Sequence, residues 1–152
     1  MKTKILMVCL GNICRSPLAE GILRSKLDSD KFILDSAGTG NWHAGEKPDP
    51  RTIKVAKKYN LDLTAQRARQ FTPQDFDAFD HIFVMDASNK DNILKLTSDE
   101  AHKQKVKLII NELFENENVD VPDPYHGDDN DFEHVFKLLD EACTIVAEKL
   151  KN

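Results

Sequence analysis

The amino-acid sequence predicts an α/β fold: a single-domain open four-stranded parallel sheet with helices on both faces. Three observations carry that expectation. Strand and helix signals alternate along the chain, as in parallel strands joined by crossover helices. The first apolar run, Ile5-Leu6-Met7-Val8, reads as a short buried strand. Cys9, Ser36 and Asp86 fall at or near the carboxyl ends of predicted strands, where open parallel sheets bind their ligands.

The elements follow in order. Leu18, Ile22, Leu23 and Leu27 have the spacing of a helix running from Pro17 to about Leu27. Phe32 to Asp35 is the second strand, ending in the turn Ala37-Gly38-Thr39-Gly40. A helix opens at Asp49-Pro50 and reaches about Tyr59; Asp49 offers a capping oxygen, and proline suits the first helical position. Thr72-Pro73-Gln74-Asp75 starts a further short helix. His81 to Met85 is the third strand, Ser88 to about Leu96 a helix, and Val106 to Ile110 the fourth strand. After an acidic loop, about Glu115 to Asn130, the last helix carries a stripe of Phe132, Phe136, Leu139, Cys143, Val146 and Leu150. That stripe places Cys143 in the core. Residues 1–152 show no repeat, low-complexity segment or linker, and read as one domain.

Composition narrows the class of partner. No apolar stretch approaches the roughly 20 residues that span a bilayer. Met1-Lys2-Thr3-Lys4 leads straight into the first strand, so it does not read as a signal peptide. A net charge of −5 without a basic block argues against nucleic acid. Three cysteines, Cys9, Cys14 and Cys143, are an odd set that suits a reducing, cytoplasmic setting rather than a disulfide scaffold.

The chemistry concentrates between Val8 and Pro17. Cys9 and Arg15 bracket five residues, after a strand and before a helix start. A tight loop there aims backbone N–H groups and a helix N-terminus into one concavity, which is an anion site. Cys9 lies at its floor, where a positive field favours the nucleophilic thiolate. Arg15 offers a planar fork that matches two phosphoryl oxygens. Gly11 and Asn12 tolerate the left-handed backbone such a loop needs. Leu10, Gly11, Asn12, Ile13 and Cys14 contribute mainly backbone donors, and Ser16 is a helix cap whose hydroxyl can also reach the sulfur. The spacing alone arises by chance in many chains; the strand before it, Gly-Asn within it and Ser-Pro after it give it meaning.

Val8 to Pro17 resembles, nearly residue for residue, the signature loop of the low molecular weight protein tyrosine phosphatases. The likeness continues through Asp35-Ser36-Ala37-Gly38-Thr39, Trp42-His43, Arg67-Ala68-Arg69-Gln70, Met85-Asp86 and Asp123-Pro124-Tyr125. The motifs come in the family's order over almost the whole chain. The resemblance implies hydrolysis of phosphotyrosine in proteins or peptides through a cysteinyl-phosphate, without metal or other cofactor. Phosphate and other oxyanions would then compete for the site. It also implies that Asn12 braces the loop from behind and that Ser16 helps the thiolate depart.

A phenolic leaving group, with a pKa of about 10, needs a proton donor. The acidic loop offers Glu115, Glu117, Asp120, Asp123, Asp128, Asp129 and Asp131, and spacing does not choose among them. Asp123-Pro124-Tyr125 resembles the family's acid loop, which implies Asp123 as general acid and then general base. Trp42, in a glycine-rich loop, and Tyr125 are the candidate aromatic walls. At Ile13, relatives that act on arginine phosphate carry threonine.

This chain departs from the family pattern in three places. His126 stands where many relatives have a second tyrosine. Gln66 replaces a histidine that in animal relatives often supports the loop asparagine. The segment Glu115–Glu133 holds no Lys or Arg. Cys14, five residues from Cys9, is placed to form a protective disulfide with it on oxidation. A thiol-dependent arsenate reductase shares this loop, but cycles through two further cysteines where only Cys143 is available. A non-catalytic phosphate-binding module would not need Asp123. His43, His81, His102, His126 and His134 show no ligand spacing for a metal, and Asp128-Asp129-Asn130-Asp131 lacks the glycine of a calcium loop.

Overall fold

The structure, a computed structural model, describes residues 1–151. Its sheet comprises β1 (Thr3–Cys9), β2 (Phe32–Gly38), β3 (His81–Val84) and β4 (Val106–Leu108), all parallel, in the order β2-β1-β3-β4. The helices are α1 (Arg15–Lys26), α2 (Pro50–Lys58), α3 (Asp75–Ala78), α4 (Ala87–Leu94), α5 (Glu100–Gln104) and α6 (Asp129–Lys151). No helix is long and apolar enough to cross a membrane among the described residues.

Alternation along β1 explains the layers. Ile5 and Met7 join a core with Leu18 and Ile22 of α1, Val55 of α2 and Phe132, Phe136 and Leu139 of α6. Leu6 and Val8 face the other side, among Phe71, Phe76, Ile93 and Val106. Ile5, Leu6, Met7 and Val8 are all fully buried, as an unbroken apolar run in a doubly covered parallel strand should be. Because β1 lies between β2 and β3, the chain turns toward opposite edges on either side of it. The crevice at their carboxyl ends is the switch point of the sheet, with Cys9 the last residue of β1.

Several boundaries differ from the sequence reading, each for a physical reason. β2 runs past Asp35 to Gly38, because Ser36, Ala37 and Gly38 continue the ladder against Met7, Val8 and Cys9. The helix α1 begins at Arg15 with Cys14 in the cap position and no side-chain cap, so Ser16 is not the cap. Pro17 is the third helical residue, still within the first turn, where a missing N–H breaks no helical bond. The fourth strand stops at Leu108, and Ile109–Glu112 form a 3₁₀ turn. Ile109 and Ile110 are buried, so their apolar signal reported core packing rather than pairing. Helix α5 buries no residue and had no apolar period to read; Asp99 caps it by accepting the Ala101 N–H at 2.8 Å. Asp49 caps α2 as expected, accepting the Arg51 N–H at 2.8 Å. Cys143 is fully buried, and burial pushes its thiol up to about 12.

The end of β2 packs backbone to backbone on the loop after β1. A methyl group at Gly38 would lie 2.8 Å from the Leu10 carbonyl oxygen and 3.0 Å from the Asn12 nitrogen. Neither can move without moving the loop. Gly38→Ala is therefore expected to cost about 1–3 kcal/mol by overpacking. Urea unfolding measures that cost, and an unchanged midpoint would show that the loop yields freely.

Candidate active site

The loop after β1 is pinned from both flanks. Thr39 and Gly40 donate their N–H groups to the carbonyls of Cys9 and Leu10 at 2.9 and 3.0 Å. Asp49 N–H reaches the Ile13 carbonyl at 2.8 Å, tying the start of α2 to the same loop. Asn12 takes φ = 56°, the left-handed conformation expected of the Gly11–Asn12 pair, and only Asn12 uses it.

Behind the loop runs a directional hydrogen-bond chain. The Arg69 N–H donates to Asn12 Oδ1 at 3.0 Å, which fixes the amide so that its NH₂ faces the hydroxyls. That group donates to Ser16 Oγ at 2.8 Å and to Ser36 Oγ at 3.0 Å. Ser36 passes its own proton to Glu20 Oε1 at 2.6 Å. Ser16 Oγ lies 3.0 Å from Cys9 Sγ and, having accepted from Asn12, is free to donate to the sulfur. Burial pushes the Glu20 carboxyl above its ordinary range, against the pull of Ser36 and Arg24.

Arg15 is buried and braced. Nη1 donates to Asp86 Oδ2 at 2.6 Å and to the Val121 carbonyl at 2.9 Å, while Nη2 lies 3.8 Å from Asp123 Oδ2. Burial opposes its charge, but Cys9 and Asp86 more than compensate, and its pKa stands above the ordinary value. The Asp86 carboxylate does two jobs, because Oδ1 also caps α4 by accepting the Asn89 N–H at 2.7 Å.

The segment bearing Asp123 is tethered at both ends. The Val121 N–H donates to the Met85 carbonyl at 2.8 Å. Arg51 of α2 donates to the carbonyls of Tyr125 at 2.8 Å and Gly127 at 3.0 Å. Its guanidinium also lies over the Phe132 ring, 4.5 Å from the centroid.

One cavity of about 220 Å³ gathers the predicted residues. Cys9, Leu10, Gly11, Ile13, Cys14 and Arg15 form its base, with Trp42, Asp123 and Tyr125 around it. Trp42 is 67% exposed, a rim residue rather than a core one. Asn12 and Ser16 do not line the cavity: they are buried behind it in the hydrogen-bond chain. His126 joins the wall edge-on to Tyr125, at 5.0 Å between centroids. Gln66 does not take over the support of Asn12; it donates to the Pro17 carbonyl at 3.1 Å, and Arg69 N–H holds the asparagine. The sequence reading missed the partners of Arg15 at Asp86 and Val121, the wall residue His43, and Glu20 and Arg51. Asp86 and His43 each left a signal there, as members of the quoted motifs Met85-Asp86 and Trp42-His43.

A buried thiol at the base of the cavity, a braced guanidinium and a carboxylate 3.8 Å from that guanidinium can together receive a tetrahedral oxyanion. The family model for low molecular weight phosphotyrosine protein phosphatase matches residues 4–152. The chain belongs to that family of phosphatases, and is an enzyme of this class. Its relatives include the low molecular weight phosphotyrosine protein phosphatase of Dictyostelium discoideum, 40% identical over 98% of this chain and 94% of that one. Among solved structures, the protein tyrosine phosphatase of Entamoeba histolytica superposes with a TM-score of 0.92 at 36% identity, covering 99% and 97% of the two chains. Vibrio vulnificus Wzb, in complex with benzylphosphonate, superposes with a TM-score of 0.88 at 32% identity, covering 98% and 99%.

Proposed function

We propose that this phosphatase hydrolyses phosphotyrosine in proteins or peptides through a cysteinyl-phosphate, with Cys9 as nucleophile, Arg15 as phosphate clamp and Asp123 as acid and base. The convergence of Cys9, Arg15 and Asp123 on one aromatic-rimmed cavity supports this most directly. The benzylphosphonate held by the Vibrio relative is a tetrahedral oxyanion on a benzyl group, which fits the same reading.

In the first step the Cys9 thiolate attacks phosphorus and the bond from phosphorus to the phenolic oxygen breaks. The Asp123 carboxyl protonates the departing oxygen. Arg15 and the amides of Leu10 to Arg15 hold the equatorial oxygens, because phosphoryl transfer depends mostly on positioning and charge. In the second step Asp123 takes a proton from water, the water oxygen bonds to phosphorus, and the sulfur leaves as thiolate facing the Ser16 hydroxyl. Trp42 and Tyr125 flank the phenyl ring. No step calls on a metal, and phosphate and other oxyanions compete for the loop. The buried thiols suit a cytoplasmic setting.

The test is phosphate release from a phosphotyrosine peptide with EDTA and reductant, followed by acid quench and mass spectrometry. A phosphate adduct on the Cys9 peptide is expected. Turnover without the adduct, or no turnover by folded, reduced protein, would overturn the mechanism. Asp123→Asn is expected to lower kcat/KM for phosphotyrosine by about 10²–10⁴. Its loss on a nitrophenyl phosphate should be far smaller, since an acidic phenol leaves without help. Equal losses on both substrates would remove Asp123 as the proton donor.

Cys14 is the proposed partner of Cys9 under peroxide. Burial, then Asp49 and Cys9, push its thiol up to about 12, so it enters as the neutral thiol. Peroxide converts the Cys9 thiolate to a sulfenic acid; Cys14 sulfur then bonds to Cys9 sulfur, and its proton leaves with the hydroxyl as water. After peroxide, wild type should recover fully on reduction and Cys14→Ser only in part. Equal recovery would exclude the disulfide.

A further inference from the structure

Beyond the indole of Trp42 lies a second concavity, of about 440 Å³, which shares Leu10 and Trp42 with the catalytic cavity. Its floor is the buried pair Phe71 and Ile93. Its rim is Leu10, Trp42 and Leu96, which are 39%, 67% and 47% exposed. Three large apolar side chains therefore stand at the surface around one groove. Asn41, Gln70 and Asn92 add carboxamides to the wall, each able to exchange hydrogen bonds with an extended main chain. No residue lining the groove is charged, although 31% of the chain is.

The partition between cavity and groove is built into the backbone. A methyl group at Gly40 would overlap the Trp42 ring, so the glycine lets the indole lie against the chain at that point. One face of the partition borders the catalytic cavity and the other borders the groove. A peptide with its phosphotyrosine in the cavity must leave across the rim. The cavity is lined in part by His126 and Asp123 of the acidic segment, and in part by Leu10 and Trp42, which the groove shares. An exit across Leu10 and Trp42 leads into the groove. At 3.8 Å between successive Cα atoms, residues within about three of the phosphotyrosine come to lie over it.

We infer that this groove is a substrate subsite for an uncharged, apolar side chain close in sequence to the phosphotyrosine. The inference rests on the phosphotyrosine reading of the catalytic cavity and adds the kind of sequence that surrounds the target. A leucine-sized side chain that buries apolar area against Leu10, Phe71, Ile93 and Leu96 is favoured. A glutamate in the same place loses hydration and meets no cation, so acidic flanks are disfavoured. Substrates are thus tyrosines phosphorylated beside apolar residues rather than within acidic runs.

The test uses phosphotyrosine itself and phosphopeptides with an otherwise Gly/Ser sequence. A single leucine, or a single glutamate, is moved through the three positions on either side of the phosphotyrosine. At one register at least, leucine is expected to exceed glutamate by about 10-fold in kcat/KM. Leu96 is exposed and outside the catalytic cavity, so Leu96→Lys should leave turnover of phosphotyrosine itself unchanged. At that register it should also reverse the order, favouring glutamate. The assignment is overturned if wild type shows no preference at any register. It is overturned equally if the leucine preference survives Leu96→Lys, or if that change lowers every substrate alike. Failure to hydrolyse phosphotyrosine itself is the separate result that removes the catalytic reading, and the subsite with it.

Discussion

Cys9→Ser is expected to lower kcat on a phosphotyrosine peptide by about 10⁴ to 10⁶, the scale seen when a nucleophile is removed. The argument is geometric. The group against Cys9 Sγ is the hydroxyl of Ser16, which already accepts from Asn12 and is no base. A nucleophile without a base beside it must arrive ionised, and an alcohol in that place cannot. The loop amides and Arg15 are untouched, so phosphate binding measured by isothermal titration should change by less than about 10-fold. A variant that keeps a tenth of the wild-type rate would remove Cys9 from the chemistry. One that loses phosphate binding as well would show that the sulfur shapes the loop.

What the sequence disclosed divides along local and non-local lines. The β1 strand, the loop and the start of the helix are contiguous, so Cys9 to Arg15 could be read as a unit without knowing the fold. The register of Asp86 was legible in part, because it follows an apolar strand whose end lies at the ligand edge of the sheet. The Arg15–Asp86 pair joins residues 71 apart in the chain, and the Arg15–Val121 carbonyl contact residues 106 apart. No period or spacing encodes such contacts, and a carbonyl partner has no side-chain signature. Ser16 shows the opposite failure. Its place before a proline reads as a cap by local rules, yet the loop starts the helix two residues before that proline and turns the hydroxyl to Cys9 and Asn12. The acidic loop could not be resolved from composition at all. Asp120 accepts the Ala87 N–H at the start of α4, and Asp123 faces Arg15. They are three residues apart and chemically identical, and only tertiary placement separates their work.

Replacing Arg15 by lysine should cost about 10³–10⁵ in kcat/KM, the range found for arginines that stabilise a transferring phosphoryl group. The guanidinium is committed on one side before any substrate arrives: Nη1 is held by the Asp86 carboxylate and the Val121 carbonyl. That leaves the remaining N–H groups of a planar fork aimed at the cavity, at no further cost in orientation. An ammonium has one centre of charge on a flexible stem. It can stay with Asp86 or swing toward the phosphoryl oxygens, but it cannot bridge both. Asp86→Asn tests the brace: with the amide oxygen turned to Arg15 the hydrogen bond is kept without its charge, while the NH₂ stands where Oδ1 was and the Asn89 cap is lost. A loss of about 10-fold is expected there, the size of one weakened charge-assisted hydrogen bond. If Arg15→Lys falls no further than Asp86→Asn, the fork adds little beyond a cation held by Asp86. If lysine costs hundreds of times more, the fork geometry is the larger contribution, and Asp86 serves to aim it.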